Sequence, residues 1–285
     1  MSTLLPDWGV IAALVAFALC VGSFLNVVVY RLPRMMERDF RREAAAVLAA
    51  EPAPPTAPDN FNLSVPRSHC PGCGRMVRGH ENIPVLSWLW LRGRCAGCGN
   101  HISARYPLIE TLTAALSVIV LLNFGVTPTC AFALLFTWWI VALAVIDLDT
   151  FYLPDALTLP LLWLGLIANA LTAHVPLDAS VWGAVAGYGV LWSVAGLFRL
   201  ITGKEGMGQG DFKLLAALGA WLGWQQLLTV IIVSSAAGAI VGLALIARDR
   251  TQRGNPIPFG PFLAGAGWLV LLWGDNIAAT YSALL

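Results

Sequence analysis

Charge is absent from six long stretches of this 285-residue chain: Trp8–Tyr30, Thr111–Ile146, Ala156–Leu177, Ala179–Phe198, Leu214–Ala247 and Gly254–Gly274. A helix needs about 20 mostly apolar residues to cross the hydrocarbon core of a bilayer, where every backbone polar group must find a partner internally. The second and fifth stretches are each long enough for two short helices. Turn residues divide them, at Asn123-Phe124-Gly125-Val126-Thr127-Pro128 and at Gly223-Trp224-Gln225-Gln226. The expected fold is therefore an all-α polytopic membrane protein with about eight transmembrane helices. The piece from Phe212 to Leu222 is short for a span and is expected to tilt or to stop inside the bilayer. A soluble domain is excluded by 58% hydrophobic and only 12% charged residues.

The placement of charge sets the expected topology. All 17 Lys and Arg fall in three segments: eleven from Arg31 to Arg105, three from Arg199 to Lys213 and three from Arg248 to Arg253. In an eight-helix arrangement these share one side, while the other side carries only Asp7, Asp178 and Asp275. The positive-inside rule makes the basic side cytoplasmic and both termini external. The first apolar stretch has no preceding basic residue and no small-x-small cleavage site after it, so it is expected to remain as a helix. Cys20 and Cys130 lie within apolar stretches and are expected to pack there. The division expected is residues 1–30 as a first membrane helix, 31–105 as a cytoplasmic insert, and 106–285 as a seven-helix membrane domain.

The insert opens with Met35–Ala50, whose composition favours a solvated helix with i,i+4 pairs such as Glu37 and Arg41. Glu51-Pro52-Ala53-Pro54-Pro55-Thr56-Ala57-Pro58 then reads as a stiff linker. Beyond it, Cys70-Pro71-Gly72-Cys73 and Cys95-Ala96-Gly97-Cys98 are separated by 21 residues. Two C-x-x-C turns present four thiolates to one zinc ion, with Gly72 and Gly97 expected to tighten the turns. Disulfides compete with this reading but are disfavoured in a reducing compartment. His69, His80 and His101 are possible substitute ligands. Four cysteines close the site, so the zinc is expected to be structural.

Two aspartates interrupt the apolar pattern. Asp147 closes the run Leu134–Ile146, and Asp211 follows Gly206-Met207-Gly208-Gln209-Gly210. An ionisable group at the edge of a membrane span marks a functional site by default, against the plainer reading of a solvated helix end. Two carboxylates at one face suit acid–base hydrolysis, with one activating water and the other holding a proton. Three acids compete to partner Asp211. Asp147 is the least solvated, Asp149 lies two residues on, and Asp155 stands where an N-cap is expected. Gly206, Gly208 and Gly210 are expected to supply positive φ and close approach for an extended peptide. Their spacing is not G-x-G-x-x-G and no strand precedes them, which argues against a nucleotide loop. Lys213 either balances local negative charge or meets lipid phosphate. An ion-coupled transporter with a regulatory zinc-binding insert is the alternative reading. It is disfavoured because transport sites lie near the midplane on broken helices.

The chain resembles the type IV prepilin peptidases, membrane aspartic proteases with a Gly-x-Gly-Asp motif. The resemblance runs over nearly its whole length. It is carried by Gly22-Ser23-Phe24-Leu25-Asn26-Val27-Val28 with Tyr30-Arg31-Leu32-Pro33, the cysteine pairs around Glu81-Asn82-Ile83-Pro84, and Ala104-Arg105-Tyr106-Pro107-Leu108-Ile109-Glu110. Ile146-Asp147-Leu148-Asp149, Leu153-Pro154-Asp155-Ala156-Leu157-Thr158-Leu159-Pro160 and the block from Gly206 to Leu218 complete it. The resemblance implies cleavage after glycine of the leader of prepilins or type II secretion pseudopilins, at the cytoplasmic face of a bacterial inner membrane. It implies Asp147 and Asp211 as the catalytic pair. It also implies N-methylation of the new terminus by S-adenosylmethionine, with no donor-site residues assigned. Partners beyond these substrates and membrane lipid are not expected, and nucleic acid is not among them.

Overall fold

The computed structural model describes residues 6–48, 61–248 and 257–282, so the Glu51–Pro58 linker lies outside the described residues. Among the described residues there are eight long helices and no strands. They are α1 (Trp8–Val47), α3 (Arg105–Phe124), α4 (Pro128–Thr150), α5 (Asp155–Thr172), α6 (Leu177–Thr202), α7 (Gln209–Leu222), α8 (Leu227–Arg248) and α9 (Gly260–Ser282), with a short α2 (Leu86–Trp90) in the insert. Among the described residues six segments are long and apolar enough to cross a membrane: those of α1, α3, α4, α5, α6 and α8. The 14 residues of α7 do not qualify, in line with its expected shortness, and α9 bends at Trp273, where φ is −137°.

The chain forms two compact units, Met1–Leu122 and Asn123–Leu285. In the first, α1 continues without a break through Pro33, so the first span and the charged helix after it form one 40-residue rod. Its rise of about 60 Å is twice a hydrocarbon core. Glu37 and Arg41 pair on its surface at 2.6 Å. Its buried residues include Ala18, Gly22, Leu25, Asn26 and Val29, and of these Asn26 donates its side-chain amide to the Tyr106 carbonyl of α3 at 3.2 Å while Gly22 lies against the same helix. Gly22 permits that approach: a Cβ there would stand 2.7 Å from the Glu110 Cα. Cys20 is exposed, so it does not pack as expected, whereas Cys130 in α4 is buried.

In the second unit α7 is the core. Eleven of its residues, Asp211, Phe212 and Leu214 to Leu222, are buried. Helix α6 meets it backbone to backbone. A Cβ on Gly183 would lie 2.2 Å from the Gly219 carbonyl oxygen, and one on Gly187 would lie 2.5 Å from that of Leu215. Gly183 and Gly187 form a small-xxx-small pair, the pattern that brings membrane helices close enough for direct backbone packing. Helix α5 holds the other end. The Asn169 side-chain amide donates to the carbonyls of Ala220 and Trp221, at 3.0 and 3.1 Å. These are among the C-terminal carbonyls that a helix cannot satisfy itself. The Trp221 indole N–H donates to the Leu161 carbonyl at 2.9 Å, its ring seated over Gly165.

Candidate active site

Asp147 reaches its place because α4 is well framed. Thr127 caps the helix start, its hydroxyl accepting the Cys130 N–H, with Pro128 in the first turn. The helix ends where Phe151 turns left-handed at φ 55° and donates its N–H to the Asp147 carbonyl. The chain then runs through Leu153 and Pro154 into α5. Asp211 stands in the first turn of α7, whose N-cap is Gly208. Asp147 is 5% exposed and Asp211 9%, so both ionisable groups are enclosed by protein.

Three helix ends meet around Leu153. A Cβ on Gly210 would lie 2.8 Å from the Leu153 Cβ, and one on Gly260 would lie 3.2 Å from the Leu153 Cδ1 and 2.6 Å from the Asp147 Oδ2. This junction brings together the end of α4 that carries Asp147 and the first turn of α7 that carries Asp211. Of the acids that competed to partner Asp211, Asp149 is exposed. Asp155 does not cap α5. The N-cap is Pro154, and Asp155 accepts both of its hydrogen bonds, at 2.7 Å each, from the Lys213 ammonium. The reason is reach: Lys213, two residues past Asp211, brings a full positive charge to the start of α5, where a helix N–H offers only a partial one.

The glycine run behaves differently from expectation. Positive φ falls on Gly203, the residue that closes α6, and not on Gly206, Gly208 or Gly210. Gly210 is required by its approach to Leu153, and Gly206 sits against the Phe198 ring. Sequence reasoning also missed Gly260, whose N–H donates to the Asp147 Oδ2 at 2.9 Å. Its signal was a proline-flanked turn, Pro258-Phe259-Gly260-Pro261, at the mouth of an apolar stretch.

In the first unit the four cysteines gather as expected. The sulfurs of Cys70, Cys73, Cys95 and Cys98 all lie within 4.8 Å of one another, and Cys70 and Cys98 are 3.7 Å apart. A zinc–sulfur bond of about 2.3 Å places tetrahedral sulfurs about 3.8 Å apart, so the cluster fits this ion. The two turns repeat one another. The Cys70 N–H bonds the Arg75 carbonyl as the Cys95 N–H bonds that of Asn100, and the bridges His69–Met76 and Arg94–His101 close them. The left-handed residues are Gly74 and Gly99, one past each second cysteine. Gly72 and Gly97 instead make room for the opposite turn: a Cβ on Gly72 would meet the Asn100 amide, and one on Gly97 the Arg75 side chain. Backbone N–H groups of Cys98 and Gly97, with the Cys70 thiol, bring the Cys95 thiol down to about 6. The Asn100 N–H opposes the change at Cys98, but desolvation and the thiols of Cys73, Cys70 and Cys95 push it up to about 11. Crowded thiols of this kind exchange their protons for a cation. Arg75, held at 2.7 Å by Glu81, lies beside the sulfurs, where its positive charge opposes theirs.

The same unit holds a strained turn. Val85, a β-branched residue, has φ 60° and donates its N–H to the buried Glu110 carboxylate at 2.7 Å. That bond ties Glu81-Asn82-Ile83-Pro84 to α3.

Residues 16–124 match the Bacterial Peptidase A24 N-terminal domain, and residues 134–243 match the Type IV leader peptidase family. Similar proteins include the prepilin leader peptidase/N-methyltransferase of Aeromonas salmonicida (strain A449), 54% identical over 274 residues, covering 96% of this chain and 94% of the relative. That of Pseudomonas aeruginosa is 54% identical over 273 residues, covering 93% of each chain. That of Burkholderia pseudomallei (strain 1026b) is 48% identical over 270 residues, covering 95% of this chain and 87% of the relative. No solved structure matches.

Proposed function

The chain belongs to the type IV leader peptidase family, and we propose that Asp147 and Asp211 are the catalytic pair with which it removes the leader from prepilins or pseudopilins. The observation that carries this reading is the convergence of two enclosed carboxylates on three helix ends. Acids placed only to solvate helix ends would remain in water. Two enclosed carboxylates at one junction do not hold two full negative charges comfortably, and in this reading the pair carries one proton. One carboxylate polarises water toward the glycine carbonyl, and its protonated partner donates to the carbonyl oxygen. Gly206, Gly208 and Gly210 form the loop beside which the extended leader lies.

The basic segments support a reading in which the junction lies at the cytoplasmic face of an inner membrane, with both termini periplasmic. Zinc on Cys70, Cys73, Cys95 and Cys98 staples the insert and leaves no open position for chemistry. The protein is bifunctional and N-methylates the terminus it creates, with S-adenosylmethionine as donor. The described residues contain no strand-to-helix glycine loop to hold a nucleotide moiety. The deciding experiment uses purified protein in proteoliposomes, given a prepilin and no ion gradient. Cleavage after glycine is expected, and correctly inserted protein that leaves the prepilin intact would refute the reading.

Two further outcomes are expected. Elemental analysis should find one zinc per chain, and Cys70→Ser with Cys95→Ser should remove it while sparing cleavage more than methylation. Unchanged metal content would exclude this ligand set. The Asp155–Lys213 pair is partly exposed, and such pairs contribute about 0.2–1 kcal/mol. Asp155→Asn and Lys213→Met should therefore each lower cleavage by less than about tenfold, and the double variant should fall no further than either single one. Additive losses in that cycle would show that the two side chains act separately.

A further inference from the structure

A carboxylate pair that performs acid–base chemistry needs its members in opposite protonation states, and this junction treats them unequally. Asp147 Oδ2 accepts the Gly260 N–H at 2.9 Å. That N–H opens the 23-residue α9 and is one of those with no acceptor inside the helix. It therefore brings the positive end of a helix to one carboxylate oxygen. Among the described residues no donor reaches the Asp211 carboxylate, which enters the same junction from α7. Asp211 does lie in the first turn of α7, but its own N–H is turned to the Gly208 carbonyl. A direct hydrogen bond to an anion outweighs the diffuse field of a helix end.

We propose that Gly260 is a positioning residue that keeps Asp147 ionised, which makes Asp147 the general base and Asp211 the proton holder. The water oxygen bonds to the glycine carbonyl carbon while its proton passes to Asp147, and the Asp211 proton passes to the carbonyl oxygen. On collapse, the leaving nitrogen takes the proton from Asp147 and Asp211 regains one from the hydroxyl. Atoms and charge balance, and the pair returns to its starting state. Glycine is needed at 260 for approach, since a Cβ there would stand 2.6 Å from the oxygen that receives the bond. Other ionisable groups at the junction are few. Asp149 lies on α4, Asp155 of α5 is neutralised by Lys213 of α7, and α9 carries no acid or base before Asp275.

The proposal rests on the aspartic peptidase reading. Its test is NMR of the full chain labelled with ¹⁵N-glycine, beside the pH profile of prepilin cleavage. The Gly260 amide proton, assigned by its loss in Gly260→Ala, should lie downfield where the enzyme works. It should move upfield on acidification with the midpoint of the acid limb. Gly260→Ala should lower kcat about tenfold or more and leave KM within about twofold. With the Asp147 carboxylate pushed off the N–H by the added Cβ, the anion forms less readily, so the acid limb should move to higher pH. Gly265→Ala, which faces open space, should change neither. An amide signal that follows the alkaline limb, or does not titrate, overturns the assignment, and so does lost kcat with an unmoved acid limb. If Gly260→Ala does not fold, carbonyl-¹³C phenylalanine labelling identifies the same amide, because only Gly125 and Gly260 follow a phenylalanine and Phe124→Leu removes the first of these signals. Full cleavage by Asp147→Asn or Asp211→Asn would instead overturn the peptidase reading itself.

Discussion

Asp147→Asn and Asp211→Asn are each expected to abolish leader cleavage, with a fall of about a thousandfold or more, while the protein still inserts and keeps its zinc. General acid–base groups contribute roughly 10²–10⁴ in rate, and neither role survives an amide, which holds no exchangeable acid proton and accepts none from water. Both positions are largely enclosed by protein, and the amide is nearly isosteric, so the loss reads chemistry more than fold. Asp149→Asn, exposed beyond the junction, should retain substantial activity. Cleavage of prepilin in purified membranes is the measurement. A dead Asp149→Asn beside an active Asp147→Asn would mean that the wrong acid has been paired with Asp211.

Gly210→Val is the second large effect expected. The first side-chain carbon would stand 2.8 Å from the Leu153 Cβ, where the N-terminus of α7 meets the turn that follows Asp147. Both partners are fixed: Leu153 is 3% exposed and α7 is buried along its length. The carboxylates must therefore separate, and a displacement of about 1 Å costs on the order of a hundredfold in rate. Membrane insertion and zinc should be unaffected. Gly189→Val on α6, with open space around it, serves as the control. Gly125 does not, because its φ of +63° strains any side chain. Near-normal cleavage by inserted Gly210→Val protein would reduce the glycine run to a connector.

The helices and the two aspartates were legible in the sequence for one physical reason. A membrane span must be apolar over its whole length, so an exception announces itself. The cysteine cluster was legible because its ligands come in two local turns. What could not be read locally were contacts between segments far apart in the chain. Asp155 has the look of an N-cap, and only the approach of Lys213, 58 residues later, changes its role. Gly260 sits 113 residues from the carboxylate it touches. The division of labour among glycines was also hidden. Gly72 and Gly97 are crowded by the opposite turn while Gly74 and Gly99 carry the positive φ, and composition distinguishes neither pair. The Gly183-x-x-x-Gly187 seam was visible, but its meaning depends on which helix lies against it.

The brevity of α7 bears on how the molecule is made. Its 14 residues rise about 21 Å against a core of about 30 Å, so it has no stable berth of its own in lipid. Helix α6 emerges from the ribosome first and offers the glycine seam, yet α9, which completes the enclosure, is synthesised last of these helices. A nascent chain halted before α9 would therefore insert but lack both the cover over α7 and the Gly260 N–H on Asp147. Competence to cut peptides is thus expected only once α9 has been made, and copies halted before it pass through the membrane-insertion machinery, among its other client chains, without a working blade.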